Sequence, residues 1–168
     1  TGLAQRAEAL GFDGAFLSDH LALPTAPRSR YPYRSDGAFL LRPDEDILEP
    51  VIAATYLAAV TRRLQLGFSV LVLPYRHPVL NAKMLATLDV LSGGRLIAGV
   101  GVGWMEEEFL TLGSDFPNRG QITDEHIRLL KSLWTRDEPE FSGRHYQLSE
   151  MTMYPKPVQK PHPPIWTG

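Results

Sequence analysis

The sequence predicts an α/β protein built on a parallel sheet, and three observations carry that reading. Strand-like and helix-like segments alternate along the 168 residues, the order that helix crossovers between parallel strands produce. The runs Leu64–Leu73 and Leu96–Val102 are nearly continuous in apolar residues, as strands covered by helices on both faces are. The second run, Leu96-Ile-Ala-Gly-Val-Gly-Val102, passes into Gly103-Trp104 and then into Glu106-Glu107-Glu108. Glycines thus stand where a strand meets its next loop, the end at which barrels and open sheets of this class hold ligands.

Each element follows in order. Leu3, Ala7 and Leu10 share one helical face, and Gly11 stops that helix. Ala15 to Ser18 reads as a short buried strand ending on Asp19-His20. Residues 21–46 hold Pro24, Pro27, Pro32 and Pro43 with several arginines; a loop this long in a compact domain is usually functional or disordered. Leu48, Val51, Ile52, Thr55, Tyr56 and Ala59 give a second amphipathic helix that ends near Arg62-Arg63. The strand Leu64–Leu73 follows, closed by Pro74. Pro78 suits the first turn of a third helix, whose inner face is Val79, Ala82, Leu85, Ala86 and Leu88 and whose end is Gly93-Gly94. After the glycine-ended strand come a short helix through Phe109, a loop from Gly113 to Gly120, and a helix carrying Ile122, Ile127, Leu130 and Trp134. Residues 140–147 form a hairpin around Ser142-Gly143. Five prolines between Pro155 and Pro164 mark an extended connector, and Ile165-Trp166 opens another strand. Periodicity leaves an open sheet and a closed barrel as alternatives. A closed eight-stranded barrel needs about 250 residues, so four strands would be half of one.

Composition excludes several classes. A hydrophobic content of 43% and a charged content of 21% are those of an ordinary globular domain. A net charge of −2 argues against a nucleic-acid partner held by charge. No apolar run approaches the roughly 20 residues of a membrane span. The absence of cysteine removes disulfides, thiolate metal sites and cysteine nucleophiles and leaves the cytoplasm as the default compartment. Neither a histidine–carboxylate metal spacing nor a GxSxG nucleophile elbow is present. The chain starts at Thr1 already in a helical pattern and stops as a strand begins, so we expect a piece of a longer chain.

Several motifs together carry a resemblance. Ser69-Val-Leu-Val-Leu-Pro-Tyr-Arg-His-Pro78, Ala82-Lys83, Ala86-Thr-Leu-Asp89, Ser92-Gly-Gly-Arg95 and Gly99-Val-Gly-Val-Gly-Trp104 keep the order and spacing of one family. So do Ala9-Leu-Gly-Phe-Asp13 and Ser18-Asp-His20 upstream, and Pro155-Lys-Pro-Val158 and Pro163-Pro-Ile-Trp166 downstream. The chain resembles the bacterial luciferase-like family of flavin- and deazaflavin-dependent oxidoreductases. That resemblance implies a (β/α)8 TIM barrel with its cofactor at the C-terminal strand ends. Residues 1–168 would be a single domain of it, an incomplete barrel of about strands two to five, truncated at both ends. It also implies a homodimer and an oxidoreductase that transfers hydride between coenzyme F420 as cofactor and a small-molecule substrate, the alternatives being an FMN-dependent monooxygenase and a non-catalytic or truncated barrel relative.

The resemblance places the chemistry as well. His20 would be catalytic, since histidine titrates near neutrality and can pass a proton beside a flavin-type ring. Asp19 would bond the cofactor or orient the imidazole, the alternative being an Asp-His pair that caps a loop. A cis peptide between Ser69 and Val70 would lie under the ring, with Val72, Val102, Gly103, Trp104 and Glu107 as further cofactor contacts. Glu106 and Glu108 read as residues that favour a helix N-terminus. Trp104 stands where some deazaflavin-dependent dehydrogenases of the family carry a glutamate base, so the base of their sugar-phosphate chemistry is missing. The glycines of Gly99-x-Gly-x-Gly103 lack dinucleotide-fingerprint spacing and are read as permitting close backbone approach to a ring system. His126, His145 and His162 are expected at the surface, and Arg76 as a capping or pairing residue.

Overall fold

The structure, a computed structural model, describes residues 2–167. Its elements are α1 (Gly2–Ala9), β1 (Gly14–Leu17), α2 (Pro50–Val60), β2 (Gln65–Phe68), β3 (Leu71–Val72), a 3-10 turn (Leu73–Tyr75), α3 (Pro78–Ser92), β4 (Leu96–Gly101), α4 (Glu106–Leu112), α5 (Arg119–Thr135), β5 (Phe141–Ser142), β6 (Gln147–Leu148) and β7 (Ile165–Thr167). The strands β1, β2, β3, β4 and β7 form one sheet, paired throughout in parallel. β5 and β6 pair antiparallel as the expected hairpin. Strand alternating with helix is the order the sequence predicted. The sheet is open and curved: the Phe16 ring from one outer strand stacks on the Trp166 ring from the other, with centroids 5.7 Å apart. A closed barrel is not seen; the chain folds as an incomplete one.

β4 is the axis of the sheet. β2 pairs with its first half, Leu66 beside Leu96, and β3 with its second, Val72 beside Gly101. β7 runs along its other edge, Gly99 beside Trp166. The continuous strand expected over Leu64–Leu73 is therefore two strands, separated at the Ser69–Val70 peptide, which is cis. The apolar run is real, since Leu64, Leu66, Phe68, Leu71 and Leu73 are all buried, but burial does not report the break.

The main core lies between the sheet and α2, α3 and α5. It contains Ala54, Ala58, Leu66, Phe68, Leu85, Leu88, Leu129, Leu130 and Trp134. The inner faces of α3 and α5 fall where the periodicity put them. Those of α1 and α2 do not. α1 buries Ala4 while Leu3 and Leu10 are exposed, and α2 buries Val51, Ala54 and Ala58 while Ile52 and Tyr56 are exposed. α2 is apolar nearly all round (PVIAATYLAAV), so its sequence carries no phase to read.

The glycines of β4 admit neighbouring protein rather than a ligand. A Cβ on Gly99 would overlap the Phe68 carbonyl oxygen, and one on Gly101 would overlap a Val70 methyl. The expected close approach is therefore made by the chain itself. Gly99→Ala should cost about 3 kcal/mol or more by overpacking against backbone, whereas Gly120→Ala, with open space around it, should leave the urea midpoint unchanged or raised.

His126 corrects a second expectation, because it is wholly buried rather than at the surface. Asn81 Nδ2 donates to its Nε2 at 3.1 Å and to the Leu73 carbonyl at 3.3 Å. The imidazole is thus held neutral, and burial, with the nearby His77, pushes its pKa down to about 3. An unfolded histidine titrates near 6.5, so unfolding takes up a proton below that pH. Stability should fall by about 1.4 kcal/mol per pH unit from pH 6.5 toward 3 on account of this residue. Urea unfolding of His126→Gln between pH 7 and 4.5 should show a correspondingly shallower loss than the native chain.

Candidate functional site

The C-terminal ends of β1, β3 and β4 meet around His20 and Trp104. β1 delivers Asp19 and His20. Asp19 is buried, and its Oδ2 accepts the Val72 N–H at 2.9 Å and Arg76 Nη1 at 2.8 Å, while Oδ1 accepts Arg76 Nη2 at 2.9 Å. β1 ends before β3 begins, and the Asp19 carboxylate replaces the missing strand carbonyl as acceptor for β3. Arg76 also donates to Glu49 at 2.9 Å, and the other Glu49 oxygen caps α2 by accepting the Ile52 N–H. Arg76 is the pairing residue it was read to be.

The helix start after β4 carries what the sequence reading missed. Glu108 is buried, and it collects four donors: His20 Nδ1 at 2.7 Å, the Tyr75 hydroxyl at 3.0 Å, and the Leu21 and Ala22 N–H groups at 2.8 and 3.3 Å. Burial would raise its carboxyl, but the His20 bond and the two backbone bonds outweigh it and hold the pKa below the usual carboxylate range. Burial, with the same charge beside it, pushes the Tyr75 hydroxyl up and keeps it protonated as a donor. The signal that could have found Glu108 is helical spacing: it lies three residues after buried Met105 and beside buried Phe109. The macrodipole reading of the acidic triplet was incomplete, because this member faces inward.

Since Nδ1 is bonded to a carboxylate, neutral His20 carries its proton there. Nε2 makes no hydrogen bond among the described residues. The ring lies 4.9 Å from Phe39 and 6.2 Å from Trp104, centroid to centroid. Ser69 and Val102 are exposed at the strand ends and Val70 is half-buried. Gly103, at a φ of 80°, turns the chain from β4 into Trp104.

The remaining expected contacts are occupied by protein. Val72 packs with Tyr75 and Phe109 in a small second core. Glu107 is taken up by the loop: one oxygen accepts the Arg28 and Ser29 N–H groups at 2.5 and 2.9 Å, the other the Ser29 hydroxyl at 2.5 Å. Those bonds outweigh its partial desolvation and bring its pKa down to about 2.

The sequence model of the luciferase-like monooxygenase family covers residues 1–168. The chain belongs to the luciferase-like monooxygenase family. An uncharacterised Mycobacterium tuberculosis protein is 37% identical over 94% of the chain and 54% of its own length. The F420-dependent glucose-6-phosphate dehydrogenase of Microbacterium testaceum is 36% identical over 96% of the chain and 44% of its own length. The FMNH(2)-dependent dimethylsulfone monooxygenase of Pseudomonas putida is 38% identical over 71% of the chain and 34% of its own length. Among solved structures, monooxygenase RslO1 from Streptomyces bottropensis superposes with a TM-score of 0.80 at 27% identity, over 99% of the chain and 45% of its own. This luciferase-like chain therefore spans about half the length of the curated relatives it matches, or less.

Because Glu108 joins β1, the loop and the turn after β3, truncating it strands four donors. Glu108→Ala should cost about 2–4 kcal/mol, the range expected when buried donors lose a charged acceptor, and should open residues 21–46 to limited proteolysis. Glu108→Gln, which keeps an acceptor oxygen, should show less of both.

Proposed function

We propose that the protein transfers hydride between coenzyme F420 and a small organic substrate, with His20 as the proton-handling residue. The observation that supports this most is the Glu108–His20 pair at the strand ends, which fixes the imidazole tautomer and leaves Nε2 without a hydrogen-bond partner among the described residues. The residues present suit a flat, largely apolar ring: Ser69, Val70 and Val102 offer a ledge, and Gly103 and Trp104 its rim. When bound there, F420 would supply the two-electron hydride acceptor.

In the oxidising direction the hydride leaves the carbinol carbon of the substrate, and the hydroxyl proton passes to His20 Nε2. The buried Glu108 carboxylate stabilises the imidazolium that results. In the reducing direction the imidazolium returns that proton to the carbonyl oxygen. Asp19 and Arg76 hold the His20-bearing segment against β3, Val72 packs beneath Gly103, and Glu107 holds the loop; we place these three expected contacts, Asp19, Val72 and Glu107, in support of the site.

A second reading is an FMN-dependent monooxygenase, favoured by the dimethylsulfone monooxygenase relative. The F420 reading draws on a relative matched over a larger share of the chain, 96% against 71%. Titration of the purified protein with each cofactor separates the two. Saturable F420 binding supports the proposal, and tight FMN binding without F420 binding overturns it. His20→Gln should retain cofactor affinity and lose about 10²–10⁴-fold in turnover, the usual contribution of a positioned acid–base group.

A further inference from the structure

The long loop brings an aromatic wall to His20. Trp104 lies 5.0 Å from Phe39 and 5.2 Å from Tyr31, and Tyr31 lies 5.4 Å from Phe39, all in tilted or edge-to-face contact. Each of these rings, like His20, is half-buried. The wall is mounted on both sides. Glu107 holds the backbone at Arg28 and Ser29, and the Tyr31 N–H donates to the Gly37 carbonyl at 2.9 Å. We propose, resting on the hydride-transfer reading above, that Tyr31, Phe39 and Trp104 face the substrate and select an uncharged aromatic or alicyclic alcohol or ketone over a phosphorylated one.

Charge supports the selection. Glu108, bonded to His20, and Glu107, bonded to Arg28 and Ser29, put two carboxylates beside the wall. The arginines are spent elsewhere. Arg76 is paired with Asp19 and Glu49, Arg34 with Asp36, and Arg42 with Asp44 and Glu45. Arg30 donates to the Ser35 and Asp36 carbonyls. Arg119 donates to the Gly103 and Phe116 carbonyls and stacks 3.9 Å over the Phe116 ring. A phosphate is ordinarily met by a free guanidinium fork or a lysine. Arg28 is exposed, and among the described residues its guanidinium makes no hydrogen bond, so it is the cation through which the proposal can fail. Aromatic edges and faces, by contrast, suit an apolar ring directly.

The test uses benzyl alcohol, cyclohexanol and glucose 6-phosphate as probes, read in two ways. Binding is followed by the change in tryptophan fluorescence that Trp104→Phe abolishes, and turnover by absorbance of the bound cofactor. Saturable binding of the two uncharged alcohols, weakened about tenfold or more in Tyr31→Ala or Phe39→Ala with cofactor affinity unchanged, is the expected result. If that binding is seen and no hydride is transferred, the wall stands and the F420 reading alone fails. Absence of binding by both alcohols overturns the inference. So does glucose 6-phosphate binding as tightly as they do and losing that affinity in Arg28→Ala.

Discussion

One buried carboxylate holds the site together. Glu108 takes hydrogen bonds from the His20 ring, the Tyr75 hydroxyl and the Leu21 and Ala22 amides. A carboxylate has about four lone-pair positions, and four donors fill them. Buried without partners it would be costly enough to take up a proton instead; fully bonded, it remains charged and fixes the relation of β1, the turn after β3 and α4. His20 is oriented by that charge, and the loop that carries Tyr31 and Phe39 departs from amides anchored to the same group. Removing the carboxylate would therefore release the His20 ring and the start of the loop together.

The arrangement is repeated across the fold on a smaller scale. Glu8 accepts the amides of Arg62, Arg63 and Leu64, and Asp89 those of Val158 and Gln159. Glu125 accepts those of Arg144, His145 and Tyr146, and Glu107 those of Arg28 and Ser29. The common cause is the backbone of the connections. A loop that leaves a parallel sheet cannot pair its N–H groups in a ladder, and those groups need acceptors when they pack against the domain. A helix-borne carboxylate supplies two oxygens at once and accepts two or three successive amides. Glu8 and Asp89 hold the segments that lead into β2 and β7, Glu125 the hairpin turn, and Glu107 the loop that follows β1.

What was legible in the sequence follows from how local its causes are. The β4 strand, the Gly93 stop of α3 and the hairpin at Ser142-Gly143 depend on neighbours within a few residues, and all were readable. The phase of α2 was not, because a helix that is apolar all round carries no contrast. The break between β2 and β3 was read only through the family motif, since the run itself stays apolar across it. His126 looked like a surface residue because its partner Asn81 lies in another helix. Glu108 looked like a dipole residue for the same reason: its partners are 33 to 88 positions away. Asp19 and His20 were found, but the sequence could not say that Asp19 would be consumed by Arg76 and β3 while Glu108 oriented the imidazole.

The division of labour between these two acids has a physical basis. Asp19 is tied to a permanent cation, Arg76, with both oxygens engaged, so protonation of a neighbour gains little from it. Glu108 has only neutral partners apart from His20, and its charge is uncompensated until the imidazole takes a proton. Of the two carboxylates, Glu108 is the one hydrogen-bonded to the His20 ring. On the proposed hydride-transfer reading, proton uptake at Nε2 and charge pairing at Nδ1 are one event on one ring. On the same reading the remaining surface of that ring is left to Phe39 and Trp104, which make no claim on its proton and meet the apolar surface of the substrate.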